Sequence, residues 1–149
     1  MKTKTLLAMG LCAAIGIVSI QTSHAEATNQ TAEAETKVQI PDTVDGIWKE
    51  IKMHHQELAD VIKAKELSKV HEHAFAIRDL VKALPAKTNP EHKKPIELMV
   101  KKISQIATDL DKYGDAGDQA KTEANLTKMD DALKKTEDLS AMAPTMKMK

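Results

Sequence analysis

Cysteine is almost missing from this chain: Cys12 is the only one among 149 residues. A single thiol closes no internal disulfide, so the fold must hold together by packing. Aromatic residues number three, Trp48, Phe75 and Tyr113, and there are only five glycines. Sheets and tight hairpins draw on both. Their scarcity, beside plentiful Ala, Lys, Glu and Leu, argues for helices and against a sheet protein. Net charge is lacking too, since 22 basic residues balance 22 acidic ones. That balance leaves no electrostatic footprint for nucleic acid or an anionic membrane.

Long apolar runs are missing beyond residue 20. The one such run, Leu6 to Ile20, follows Lys2 and Lys4 and gives way to Ser23-His24-Ala25. A basic start, a short apolar core and small residues at the exit make residues 1–25 a cleavable secretory signal peptide. The run is too short for an ordinary membrane span. Leu11, which precedes Cys12, is not the small residue that lipoprotein cleavage needs, so no lipid anchor is expected. Cleavage would leave 124 residues without cysteine and with a net charge of −2. That length suffices for one domain with one core and no membrane span.

The remainder reads as a flexible polar leader over 26–42, a helical domain over 43–140 and a flexible Met-rich tail over 141–149. Pro41-Asp42-Thr43 marks a helix start. Val44, Trp48, Ile51, Leu58 and Ile62 line one face of a first helix from Val44 to about Lys63,. After a break near Lys65, residues Leu67, Val70, Ala74, Ile77, Val81 and Leu84 keep a 3-4 rhythm that Pro85 is expected to stop. Residues 85–90 read as a loop, with regular helix resuming only near Pro95. Ile96, Met99, Ile103, Ile106, Leu110 and Tyr113 form the cleanest stripe, and 114–118 reads as a turn. A fourth helix, about Gln119 to Leu139, carries a thinner stripe of Leu126, Met129, Leu133 and Leu139. Met53, Met99 and Met129 read as core fillers. The expected fold is all-α, an up-down-up-down four-helix bundle. An open pair of hairpins that closes only in a dimer is the alternative, so monomer and dimer both stay open.

Four histidines fall in the first hairpin: His54, His55, His71 and His73. His54 and His55 straddle the apolar face of the first helix, about 50° either side of its centre at 100° per residue. With the turn near Lys65, His73 lies ~4–5 Å along the axis from His54, across helices ~8–10 Å apart. Two imidazoles bridge such a gap. His55 and His71 are offset by ~6 Å and would need Glu57 or Glu72 to complete a shell. Neutral imidazole suits copper, nickel and zinc, so these four residues are the candidate metal ligands. The plainer reading sets them around the bundle edge, half-buried and hydrogen-bonded to carboxylates. Met142, Met146 and Met148 in the tail are soft candidate ligands for Cu(I). Phe75 lies off the apolar arc of its helix, near His71 and Arg78. It either covers a neighbouring helix or, with those two residues, contacts a protein partner.

The stretches VIKAKELSKVHEHAFAIRDLVKALP and QIATDLDKYGDAGD resemble small proteobacterial periplasmic helical proteins that accompany heavy-metal efflux systems. The layout over residues 44–139 is also similar to the soluble b-type cytochrome of the periplasm, a four-helix bundle. The resemblance implies a periplasmic location, an efflux system as partner and a bundle fold. It implies no haem. The cytochrome's early methionine is replaced by the Ile47-Trp48 stretch, the fourth helix has no histidine, and no C-x-x-C-H occurs,. Nothing groups a nucleophile, a base and an orienting residue, so no enzyme is expected. The expectation is a non-enzymatic periplasmic protein that binds or senses a transition metal. The alternative is an interaction bundle that meets its partner through the second helix.

Overall fold

The computed structural model describes residues 38–141. The expected signal peptide, all but the end of the leader, and Met142, Met146 and Met148 lie outside that range. The described chain is all-α, with four α-helices and one short 3-10 turn.

Helix α1 spans Val44–Lys63. Thr43 caps it by accepting a hydrogen bond from the Gly46 N–H at 3.0 Å,. Lys65 takes a left-handed backbone, φ 62°, and the Glu66 N–H returns to the Val61 carbonyl at 2.9 Å. This closure ends α1 in the way glycine usually does. The 3-10 turn Leu67–Lys69 leads into α2, Val70–Lys87. Helix α3 spans Pro90–Asp115 and α4 spans Gln119–Ala141. Asp118 caps α4, its carboxylate accepting from the Lys121 N–H at 3.1 Å.

Two expectations about proline are corrected. Pro85 does not stop α2, which continues to Lys87. So near the helix end its missing N–H removes one hydrogen bond, and the Thr88 N–H and Oγ1 both donate to the Leu84 carbonyl,. Likewise α3 begins at Pro90 rather than near Pro95. The Asn89 side chain accepts from the Glu91 N–H at 3.1 Å, and Pro90 takes the first position, where no N–H is needed,. Thr88 and Asn89 alone therefore separate α2 from α3. Gly114 lies inside α3 instead of in the following turn.

The core draws on all four helices. Ile47, Ile51, Leu58 and Ile62 of α1 pack with Val70, Ile77, Leu80 and Leu84 of α2, Ile96, Ile103 and Leu110 of α3, and Met129 and Leu133 of α4. Burial of each large aliphatic side chain contributes about 1.5–3 kcal/mol, which stands in for the missing disulfide. Of the three methionines read as core fillers, Met129 is fully buried, Met99 half-buried and Met53 exposed. The stripe of α4 looks thin because Thr122, Asn125 and Thr136 occupy buried positions. Each donates to the carbonyl four residues back, at 2.8, 2.9 and 2.7 Å, so none enters the core unsatisfied,.

Helices adjacent in sequence pack most extensively, and α1 meets α4 more sparsely. Along α1 and α4 the pairs Trp48–Ser140, Lys52–Glu137, His55–Asp130 and Ile62–Gln119 run in opposite numerical order, so these two helices are antiparallel. Lys87 reaches the Asp42 carbonyl just before α1, while His54 meets His73 near its middle, so α1 and α2 are antiparallel as well.

Candidate metal centre

Antiparallel packing of α1 against α2 sets three ligand atoms in one small triangle. His54 and Glu57 stand one turn apart on α1 and therefore share a face. His73 opposes them from α2. The Glu57 Oε2 atom lies 3.2 Å from His54 Nδ1 and 3.2 Å from His73 Nδ1, and the two nitrogens are 3.5 Å apart. The ring centroids are 5.8 Å apart and the planes tilted by 41°.

These edges match a metal site. Ligand atoms about 2.1 Å from a tetrahedral ion are about 3.4 Å from one another. The circle through the three atoms has a radius of about 1.9 Å. An ion about 0.75 Å above that plane would sit about 2.05 Å from all three, a zinc–nitrogen distance. The imidazole side chains are 15% and 18% exposed and the carboxylate 46%. The rings are thus held by packing, while the acid faces solvent. A neutral imidazole carries one N–H. With that proton on Nδ1, each ring donates to Glu57. With it on Nε2, both Nδ1 lone pairs are free to turn toward the ion.

The other two hairpin histidines do not join this group. Their expected pairing with each other, completed by Glu57 or Glu72, is corrected. His55 bonds Asp130 of α4, and His71 lies among Asp111 and Asp115 of α3. The helical wheel supplies the reason. Neighbouring residues on a helix differ by 100°, so His54 turns to α2 while His55 turns to α4. His71 and His73 differ by 200° and face opposite neighbours.

Sequence reasoning placed Glu57 beside the wrong histidines, although the His54-x-x-Glu57 spacing was a usable signal. It passed over Asp130, Asp111 and Asp115. Nothing local marks Asp130, whereas Asp111 and Asp115 carry the signal of an i,i+4 acid pair at a helix end.

Phe75 is partly buried against the core. The Arg78 guanidinium stands 4.3 Å over its ring and donates from Nε to Asp79 at 2.9 Å, while Lys82 donates to the same carboxylate at 3.0 Å,. Partial burial raises the Asp79 pKa, but these hydrogen bonds and charges outweigh it and hold the carboxyl below its ordinary value,. An open groove follows the sparse α1–α4 seam, lined by Trp48, Ile51, His55 and Leu133, and leaves the imidazole triangle untouched.

No protein-family model matches the chain, and neither a curated protein nor a solved structure matches it.

Proposed function

We propose that residues 43–140 form an up-down-up-down four-helix bundle of the periplasm, exported by a cleaved signal peptide over residues 1–25. In this reading the bundle binds a transition-metal ion and catalyses no reaction. His54, Glu57 and His73 hold the ion. Two imidazoles and one carboxylate suit copper, nickel or zinc, and the fourth position stays open to water or an exchanging ligand.

The observation that carries this reading is the triangle of 3.2, 3.2 and 3.5 Å, whose edges fit a first-row ion with little rearrangement. Protons compete with the ion for the imidazole nitrogens, so affinity falls as pH drops. A protein of this kind buffers or senses the ion outside the cytoplasm, and an efflux system is the natural partner.

Calorimetric titration of the full chain with Cu(II), Ni(II) and Zn(II), beside a His54→Ala/His73→Ala variant, tests the proposal. The expected result is binding with a Kd below about 10 μM, lost in the variant. Binding weaker than that for all three ions, or unchanged by the double substitution, would overturn it.

A further inference from the structure

We infer that His71, Asp111 and Asp115 form a second divalent-cation site, on the flank of α2 that faces α3. One ring nitrogen of His71 and one oxygen from each aspartate lie within 4.8 Å of one another. A first-row ion needs edges of about 3.4 Å in tetrahedral geometry and about 3.1 Å in the octahedral geometry that Mn(II) prefers. Closing the gap takes at most about 1.7 Å, within reach of side-chain rotation.

The electrostatics of α3 supply an independent reason. Asp111 and Asp115 are four residues apart on the final turns of a helix that ends at Asp115. Like charges at that spacing repel. The carboxyl end of a helix also carries negative dipole charge, which disfavours acids there. Lys112 stands in the same last turn, and a cation held between the carboxylates would add to the offset of both effects. Local rules broken in this way are expected at functional or strained sites.

The backbone is built to hold these groups in register. Gly114, between the two aspartates, lets α3 close against the 3-10 turn: a Cβ there would lie 2.8 Å from the Leu67 carbonyl oxygen and 3.2 Å from Val70 Cβ. His71 follows Val70 directly. The close packing fixes the backbone beside the ligands, and only their side chains need to move to meet an ion.

The donor chemistry separates this site from the first. Two carboxylates and one imidazole make an oxygen-rich set, suited to harder divalent ions such as Mn(II), whereas the imidazole pair favours copper, nickel and zinc. The two sites share α2, through His71 and His73, but no ligand.

The test titrates the metal-free full chain with MnCl2 and follows free Mn(II) by electron paramagnetic resonance. The proteins are wild type, His54→Ala/His73→Ala, Asp115→Asn and Asp111→Asn/Asp115→Asn. The wild type and the His54→Ala/His73→Ala protein are expected to bind one Mn(II) with a Kd below about 100 μM. Asp115→Asn should weaken this about tenfold, and the double aspartate variant should abolish it. Asp115 is exposed at a helix end, so Asp115→Asn should keep the fold, which circular dichroism checks. Unchanged Mn(II) affinity in a folded Asp115→Asn protein, or loss of all binding in His54→Ala/His73→Ala, would overturn the inference. Zn(II) titration of the double aspartate variant reads the first centre alone, so failure of one site is distinguishable from failure of the other.

Discussion

Replacing Glu57 by Gln tests the geometry of the imidazole triangle with little disturbance to the fold. The change is isosteric, and the side chain is 46% exposed, so the metal-free protein should lose less than about 1 kcal/mol,. The ion, by contrast, loses its only charged ligand. Removing a group that merely orients a ligand weakens metal affinity 10–100-fold, so losing the carboxylate should reach at least the upper figure, about 2.7 kcal/mol. Linkage turns this into a melting experiment. With free Zn(II) at 100 times the wild-type Kd, the ion stabilises the wild type by about 2.7 kcal/mol. Glu57→Gln at the same concentration sits near its own Kd and gains only about 0.4 kcal/mol. For a domain of about 100 residues, each kcal/mol moves the midpoint by about 4 °C. Zinc should therefore raise the wild-type Tm by about 11 °C and the variant's by about 2 °C. Calorimetric or circular-dichroism melts with and without Zn(II) measure both. A zinc-induced rise of the same size in both proteins would refute the three-ligand geometry.

Two further predictions concern the scaffold. Gly114→Ala gains helix propensity of about 1 kcal/mol but sets its methyl 2.8 Å from a backbone oxygen that cannot swing aside,. The net effect should be a loss of about 1–2 kcal/mol, seen as a Tm lower by about 4–8 °C, and a higher Tm would contradict the close approach. Asp79 governs acid sensitivity. Its folded pKa lies below the unfolded one, so the ionised form stabilises the protein above the unfolded value, about 3.9, and this contribution fades as pH falls through the folded value,. Asp79→Asn should thus cost about 0.5–1 kcal/mol at pH 7, after allowance for solvent screening, and progressively less as pH falls below the unfolded value,. Urea melts across that range check it, and a pH-independent difference would count against the assignment.

The core-facing stripes of α1, α2 and α3 were legible in the sequence because their apolar residues repeat with the helical period. The ends of α2 and α3 were not. Pro85 and Pro95 look like breakers, yet each removes a single hydrogen bond near a helix terminus, which packing offsets,. Helix α4 was the faintest because Thr122, Asn125 and Thr136 fill core positions with side chains that satisfy themselves on the preceding turn. The His54–His73 meeting was readable from antiparallel register alone. Asp130 was not, because its meeting with His55 depends on how α4 returns along α1. Asp111 and Asp115 depend in the same way on the Gly114 contact between α3 and the start of α2.

The His-His and His-x-His pairs are poor chelating motifs, since residues one or two apart on a helix do not share a face. That weakness is what distributes them. His54 and His73 serve the α1–α2 interface, His55 the α1–α4 interface and His71 the α2–α3 interface. An ion at the proposed first centre would therefore bridge two helices, and its ligands would come apart when the helices separate. Binding energy at such a site is folding energy. The metal-free bundle has no disulfide among the described residues and relies on its apolar core. Under the proposed metal-binding function, ion concentration would set a part of its stability, a physical means of response without any large movement.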